Sequence, residues 1–184
     1  MERIKWAVDS THSELTFKIK HLMISHVSGS FKTFQAQAET SGEDFTTARI
    51  TLTADMDSIN TNNEARDTHL RTADFFETDK YPQLTFRSTN VEKLDDENFA
   101  LHGELTLKGI TNPVTLNAEY SGTTKDPWGG ERAGFVITGK ISRSAFGVTF
   151  NAVLETGGVA LSDDVKIHSE IQLVKEQVAV PAEV

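Results

Sequence analysis

The side chains most able to do chemistry in this 184-residue chain fall in two places. His21 and His26 follow a first alternating segment. Arg66, Asp67 and His69 share the run NNEARDTHLRT, with Arg71 inside it and Asp74 just beyond. A metal needs three or four converging ligands, and histidines at positions 21 and 26 do not reproduce the i, i+4 pair of a helical zinc site. Cysteine is absent, so thiolate ligands, thiol nucleophiles and disulfides are excluded together. No G-x-S-x-G elbow exposes a serine, and no glycine-rich loop opens a helix to cradle phosphate. The pattern predicts neither a metal site nor a catalytic residue. Two readings of Arg66, Asp67 and His69 stay open. In one, carboxylate and guanidinium satisfy each other and a capping backbone. In the other, the same cations form a polar collar on which a ligand's head group rests.

The elements that must position these groups are strands. Leu15, Phe17 and Ile19 alternate with Glu14, Thr16, Lys18 and Lys20, and a turn is expected near Ser28-Gly29. Phe34, Ala36 and Ala38 continue the period of two, as do Ile50, Leu52, Ala54 and Met56. The second half repeats it from Leu84 and Phe86, through Phe99 to Leu107, Val114 to Tyr120 and Phe135 to Ile141, to Val165–Leu173. Turn chemistry marks Asp95–Asn98, Gly109–Pro113, Asp126–Gly130 and Ser162–Asp164. The exception is Asn62–Thr72, which has helical composition and an asparagine cap. The expected fold is all-β, with about eight antiparallel strands and one short helix. Such strands close into a barrel or stack as a sandwich, and lengths of roughly 9 to 11 residues, above the mode of about 5 to 6, favour the barrel. Small inward residues such as Ala36, Gly103, Ala118, Gly139 and Ser169 fit an elongated apolar tunnel. They fit equally a solid core alternating large and small residues.

Charge narrows the partners. Lys plus Arg number 18 and Asp plus Glu 27, a formal net charge of −9, which argues against a nucleic-acid partner. The cations are scattered among more numerous acids rather than gathered into a stripe, which disfavours an anionic membrane surface for the same reason. With 38% hydrophobic and 24% charged residues the composition is that of one ordinary domain, and no apolar run approaches the ~18 residues of a membrane-spanning helix. Residues 1–175 are expected to form that domain and residues 176–184, EQVAVPAEV, a disordered tail. The opening MERIKWAVDS has no apolar stretch of about 7 to 15 residues, so a cytoplasmic location is expected. An exposed apolar edge on the wall would support a homodimer.

Several ordered motifs carry a family resemblance. Trp6-Ala-Val-Asp9-Ser-Thr-His12-Ser13, His21-Leu22-Met23 and Val27-Ser-Gly29-Ser-Phe31 are similar to the opening of the YceI-like family of lipid-binding proteins. So are Asn63-Glu64-Ala65-Arg66-Asp67-Thr68-His69-Leu70 with Asp74-Phe75-Phe76, Tyr81-Pro82, Gly103–Gly109 before Pro113-Val114, Ser142–Gly147 and Ser162–Val165. The resemblance spans roughly residues 6 to 175. It implies a lipocalin-like antiparallel barrel whose tunnel holds a polyisoprenoid or similar long lipid, such as a polyprenyl phosphate or a quinone, with no cofactor besides that lipid and no catalytic reaction. Many members carry a secretory signal and act in the periplasm.

On that basis Phe17, Ile19, Phe31, Phe34, Leu52, Met56, Phe86, Leu101, Leu105, Phe135, Ile137, Ile141 and Phe146 are expected to line the tunnel, by shared parity on successive strands. A single bulge would flip that parity beyond it. His21, Arg66, His69 and Arg143, each inside a family-like motif, are expected at the head group. Three functions follow in order of preference. The first is a lipid carrier or reservoir. The second is an enzyme acting on a prenyl substrate through a titratable group such as His69. The third is a stress-associated interaction protein with a filled lumen.

Overall fold

The computed structural model describes residues 2–152, 154 and 160–176. Eight of its strands close an antiparallel barrel. Around it run β1 (Arg3–Val8), β4 (Phe34–Ser41), β5 (Asp44–Asp55), β7 (Gln83–Lys93), β8 (Asn98–Leu107), β9 (Ile110–Lys125), β10 (Glu131–Ser142) and β11 (Leu161–Lys175), which pairs back onto β1. Closure leaves these strands no free sheet edge.

The one irregularity in the wall has a simple cause. β1 has 6 residues and β11 has 15, so β1 covers only the C-terminal end of β11, through Leu173–Lys175. The rest of β11 pairs with β2 (Thr16–His21), which pairs with β3 (Ser25–Phe31) and then with β6 (Ile59–Asn60). The segment between β1 and β2 is stitched to β11 by Asp9 N–H donating to the Gln172 carbonyl at 2.9 Å and Glu14 N–H donating to that of Glu170 at 2.8 Å. Helix α1 (Glu64–Leu70) is capped as its sequence predicts, with Asn63 Oδ1 accepting from Arg66 N–H at 3.0 Å.

Three sequence expectations shift, and one strand was not expected. Ser28-Gly29 is not a turn but lies inside β3, and the hairpin reverses at Leu22–Ile24. Gly29 is required there because a Cβ would lie 2.3 Å from Cζ of Phe17. The turn expected over Gly109–Pro113 is confined to Lys108 and Gly109, both left-handed, with Pro113 already in β9 opposite Glu104. Ser162–Asp164 belongs to β11, where the register against β2 shifts between Leu161 and Val165. β1 itself, with Ile4 and Trp6 buried, has an alternation that the sequence reading did not use. Glu176 N–H still bonds the Lys5 carbonyl, while the rest of the expected tail, 177–184, lies outside the described residues.

The topology gives the barrel two unlike ends. At one lie the β7–β8 turn, the β9–β10 turn and the meeting of β1 with β11. At the other lie the β8–β9 turn, the exit of β10, the start of β11 and the β2–β3 turn. Helix α1 and the loop after it cross this second end, held by Lys108 Nζ donating to the Ala73 carbonyl at 3.3 Å and by Tyr81 lying on Gly109.

Candidate functional site

The barrel encloses a cavity of about 470 Å³ whose wall is almost wholly aliphatic and aromatic. That settles the choice between a hollow and a filled interior. The volume falls within the range of small-molecule pockets, about 300 to 1,000 Å³. Of the residues expected on the wall, Phe17, Ile19, Phe31, Leu52, Phe86, Leu101, Leu105, Phe135, Ile137 and Ile141 are on it. Phe34, Met56 and Phe146 are not. All three are buried in the packed core instead. Met56 and Phe146 sit in single 3-10 turns after β5 and β10, where the two-residue period no longer applies, and Phe34 is the first residue of β4.

The small inward residues do less to hollow the barrel than their size suggests. A Cβ on Gly103 would lie 2.4 Å from Cζ of Phe86, and one on Gly139 would lie 2.5 Å from Cδ2 of Leu116. These glycines seat a neighbour's ring or branch against the wall, and the open volume lies beyond that covering.

At the first end the cavity is floored by aromatics. Phe45 lies 5.6 Å from Trp6, 5.5 Å from Tyr120 and edge-on to Phe135 at 5.1 Å. Beneath them Trp6, only 2% exposed, donates Nε1–H to Thr40 Oγ1 at 3.2 Å. Arg132 then ties the floor's loops together. Its Nη1 meets Asp9 Oδ2 at 2.6 Å and Gln172 Oε1 at 2.9 Å, and its Nε meets Asp126 Oδ2 at 3.1 Å. Bonds from Thr11, Arg132 and His12 hold the Asp9 carboxyl far below the usual carboxylate range. The Trp6–Asp9 motif therefore closes an end of the barrel.

At the second end the wall turns polar. His21, Arg66, His69 and Arg143, the residues expected at a head group, all line the cavity there. His69 marks an opening, because its side chain is 46% exposed while also bordering the cavity. Its Nε2 meets Asp74 Oδ2 at 2.9 Å, and its ring stands edge-on to Phe75 and Phe150 at 5.0 and 5.1 Å. His26 is exposed opposite Lys20, and Arg71 reaches the Asp57 and Ile59 carbonyls outside the cavity.

The expected knot exists in altered form. Arg66 and Asp67 do not pair with each other, and both bind Thr61. Arg66 Nε donates to Thr61 Oγ1 and its Nη2 to the Thr61 carbonyl, each at 2.8 Å. Asp67, which is buried, accepts from Thr61 N–H at 2.9 Å and from Thr61 Oγ1 at 2.5 Å. Arg143 is buried too, and its partners are carbonyls: Nε bonds that of Ser162, and Nη1 those of Val148 and Phe150, all at 2.9 Å. Burial lowers the pKa of Arg143 from its ordinary value, offset in part by Asp163. Asp163 is itself held low by Ser142 and Ser144. Among the described residues neither Arg66 nor Arg143 makes a direct ion pair, although each has a carboxylate nearby: Asp67 shares Thr61 Oγ1 with Arg66, and Asp163 acts on Arg143.

Parity did not reveal Phe75, Phe76 and Phe150 at this opening or Phe45 on the floor. Phe75 and Phe76 follow the helix inside the family-like Asp74-Phe75-Phe76 motif, which was the available signal; Phe150 lies in an aperiodic stretch. Among the described residues no three metal-ligating side chains converge, and no side-chain hydroxyl hydrogen-bonds to the His69 ring.

Comparison with known proteins adds the lineage to this geometry. The sequence profile of the YceI-like domain matches residues 6–173. The chain belongs to the YceI-like family. A UPF0312 protein of Staphylococcus aureus strain N315 is 46% identical over 165 residues, covering 89% of this chain and 94% of its own. Among solved YceI-like structures, the Campylobacter jejuni YCEI protein superposes with a TM-score of 0.75 at 35% identity, over 87% of this chain and 91% of that one. Burkholderia cenocepacia BcnA gives 0.77 at 25% identity, over 90% and 98%. A polyisoprenoid binding domain from Saccharophagus degradans shares the fold, with a TM-score of 0.63 at 18% identity over 94% and 98%. The YceI-like barrel thus accounts for the whole wall, floor and opening described above.

Proposed function

We propose that the protein carries or stores a long-chain isoprenoid lipid, with the hydrocarbon in the barrel and the head group at the His21, Arg66, His69 and Arg143 opening. The observation that carries this reading is the apolar cavity, floored at one end and bordered by cations at the other. An unbranched polar substrate would leave this wall's apolar surface wet, whereas each buried methylene contributes about 0.8 kcal/mol. The Saccharophagus degradans domain with this fold is a polyisoprenoid binder, which supports the ligand class. Affinity resides mainly in the tail, since an exposed ion pair contributes only about 0 to 1 kcal/mol. The head-group contacts orient and select.

Selection favours an anion. Arg66 and Arg143 spend their hydrogen bonds on hydroxyl and carbonyl oxygens, so their charge is offset only in part, by Asp67 across Thr61 and by Asp163. A polyprenyl phosphate supplies that charge, whereas a quinone offers only neutral acceptors. Organic extraction of freshly purified protein followed by mass spectrometry tests the reading. Near-stoichiometric polyprenyl material supports it, and a protein that yields no lipid from any expression medium overturns it.

A further inference from the structure

The β2–β3 hairpin has a tip that solvent should disfavour. Ile24 is 85% exposed, Met23 54% and Leu22 40%. Leu22 and Met23 also hold left-handed backbone, with φ of 54° and 64°, in a turn where asparagine and glycine would sit without strain. Strain and exposure together make this an unfavourable reversal for a freely solvated loop. The tip is also continuous with the cavity opening. Leu22 N–H donates to the Ala160 carbonyl at 2.7 Å, and His21, Ala160 and Leu161 line the cavity.

The charge around the tip runs against the chain's total. Residues 15–38 contain Lys18, Lys20 and Lys32 and no Asp or Glu, although the whole chain carries −9. Across the outer face Lys140 stands opposite Lys166, and Lys166 opposite Lys18, so three lysines from three adjacent strands form one row. Like charges directly opposite oppose pairing. Asp164 and Glu170 share that face of β11 on either side of Lys166, yet among the described residues Lys18, Lys20, Lys140 and Lys166 make no ion pair. The fold thus brings into one row lysines that are scattered along the sequence, which corrects the expectation that no basic stripe exists.

We infer that this end of the barrel docks on a bilayer bearing anionic lipids, with Leu22, Met23 and Ile24 entering the interface and the lysine row resting on the head groups. An exposed aliphatic tip flanked by unpaired cations has the two features that bind such a surface. A second copy of the chain fits less well, because a two-fold contact through this face would bring the lysine row toward its own image. Docking would set the cavity opening against the lipid source. Its purpose rests on the carrier reading, but its occurrence does not.

The test is sedimentation of the full chain with vesicles of phosphatidylcholine alone or mixed with phosphatidylglycerol, across a salt series. Binding to the mixed vesicles alone, weakening with salt, is expected. Ile24→Asp with Met23→Ser should remove it, and Lys18→Ser or Lys166→Ser should each weaken it roughly fivefold at low salt. Equal binding to both vesicle types, or unchanged binding by the tip variant, overturns the docking. So does the absence of vesicle binding with a concentration-dependent dimer that the tip variant abolishes, which would assign the tip to a second copy. Lipid extraction from the same preparations separates the two proposals. A wild type that contains lipid but binds neither vesicle type overturns docking alone, and a wild type that binds the mixed vesicles yet contains no lipid overturns the carrier reading alone.

Discussion

The two ends of the barrel use arginine in opposite ways. At the floor, Arg132 is clasped by Asp9 and Asp126, and the aromatic layer of Phe45, Trp6, Tyr120 and Phe135 shuts the lumen above it. At the opening, Arg66 and Arg143 bond only a hydroxyl and carbonyls and lie on the cavity wall. A guanidinium paired with two carboxylates is internally neutralised and serves closure. One bonded to neutral oxygens, with its nearest carboxylate a step removed, keeps more of its field and can meet an anion. The contrast assigns structural work to one end and recognition to the other.

Blocking the lumen between the ends should have the largest effect. Leu101→Trp fills the cavity with an apolar side chain and is expected to abolish lipid uptake while the protein stays folded by circular dichroism. Leu105→Arg should do the same by placing an unpaired charge in the wall. Full binding by either folded variant would contradict the cavity assignment. Next, Trp6→Ala should cost about 3 to 5 kcal/mol in denaturant unfolding, without altering which lipid is preferred. A change in preference would mean that the floor also recognises ligand.

Asp67→Ala should cost about 1 to 3 kcal/mol, because it strands the buried Thr61 N–H. It should also loosen Arg66, which shares Thr61. The sign of the pH dependence at the floor follows from the depressed Asp9 pKa. Its contribution is complete above the ordinary carboxylate value of 3.8 and is lost as pH falls below that. Asp9→Asn should therefore be less stable than wild type at neutral pH and converge with it in acid. A gap that persists unchanged at low pH would remove the Asp9 charge from the explanation. The smallest effect belongs to Arg66→Ala, which should change affinity by no more than about 1 kcal/mol. It should nevertheless narrow the preference for polyprenyl phosphate over quinone.

Much of the barrel was legible because its strands keep a strict period of two and each hides one apolar face. The period failed where the backbone breaks it. In β7 the register slips between Ser88 and Asn90, so Val91 continues the inward face of Leu84 and Phe86. In β5 Ala48, Ile50 and Leu52 face the cavity by parity, yet Phe45 also reaches it, beyond an irregularity opposite Glu39–Ser41. The polar opening was legible only through family-like motifs. Arg143 and Arg66 are far apart in sequence, and nothing in local spacing shows that β10 and α1 end at the same side of the barrel. The choice between hollow and filled was not readable either. Gly103 and Gly139 suggest empty space in a sequence, but Phe86 and Leu116 occupy it.

Native mass spectrometry of the intact protein beside Leu101→Trp tests the central claim most directly. The account predicts a wild-type ion carrying one discrete lipid mass, released on activation and missing from the folded variant. An unliganded wild-type ion after exposure to polyprenyl phosphate, or the same adduct on the variant, would contradict it.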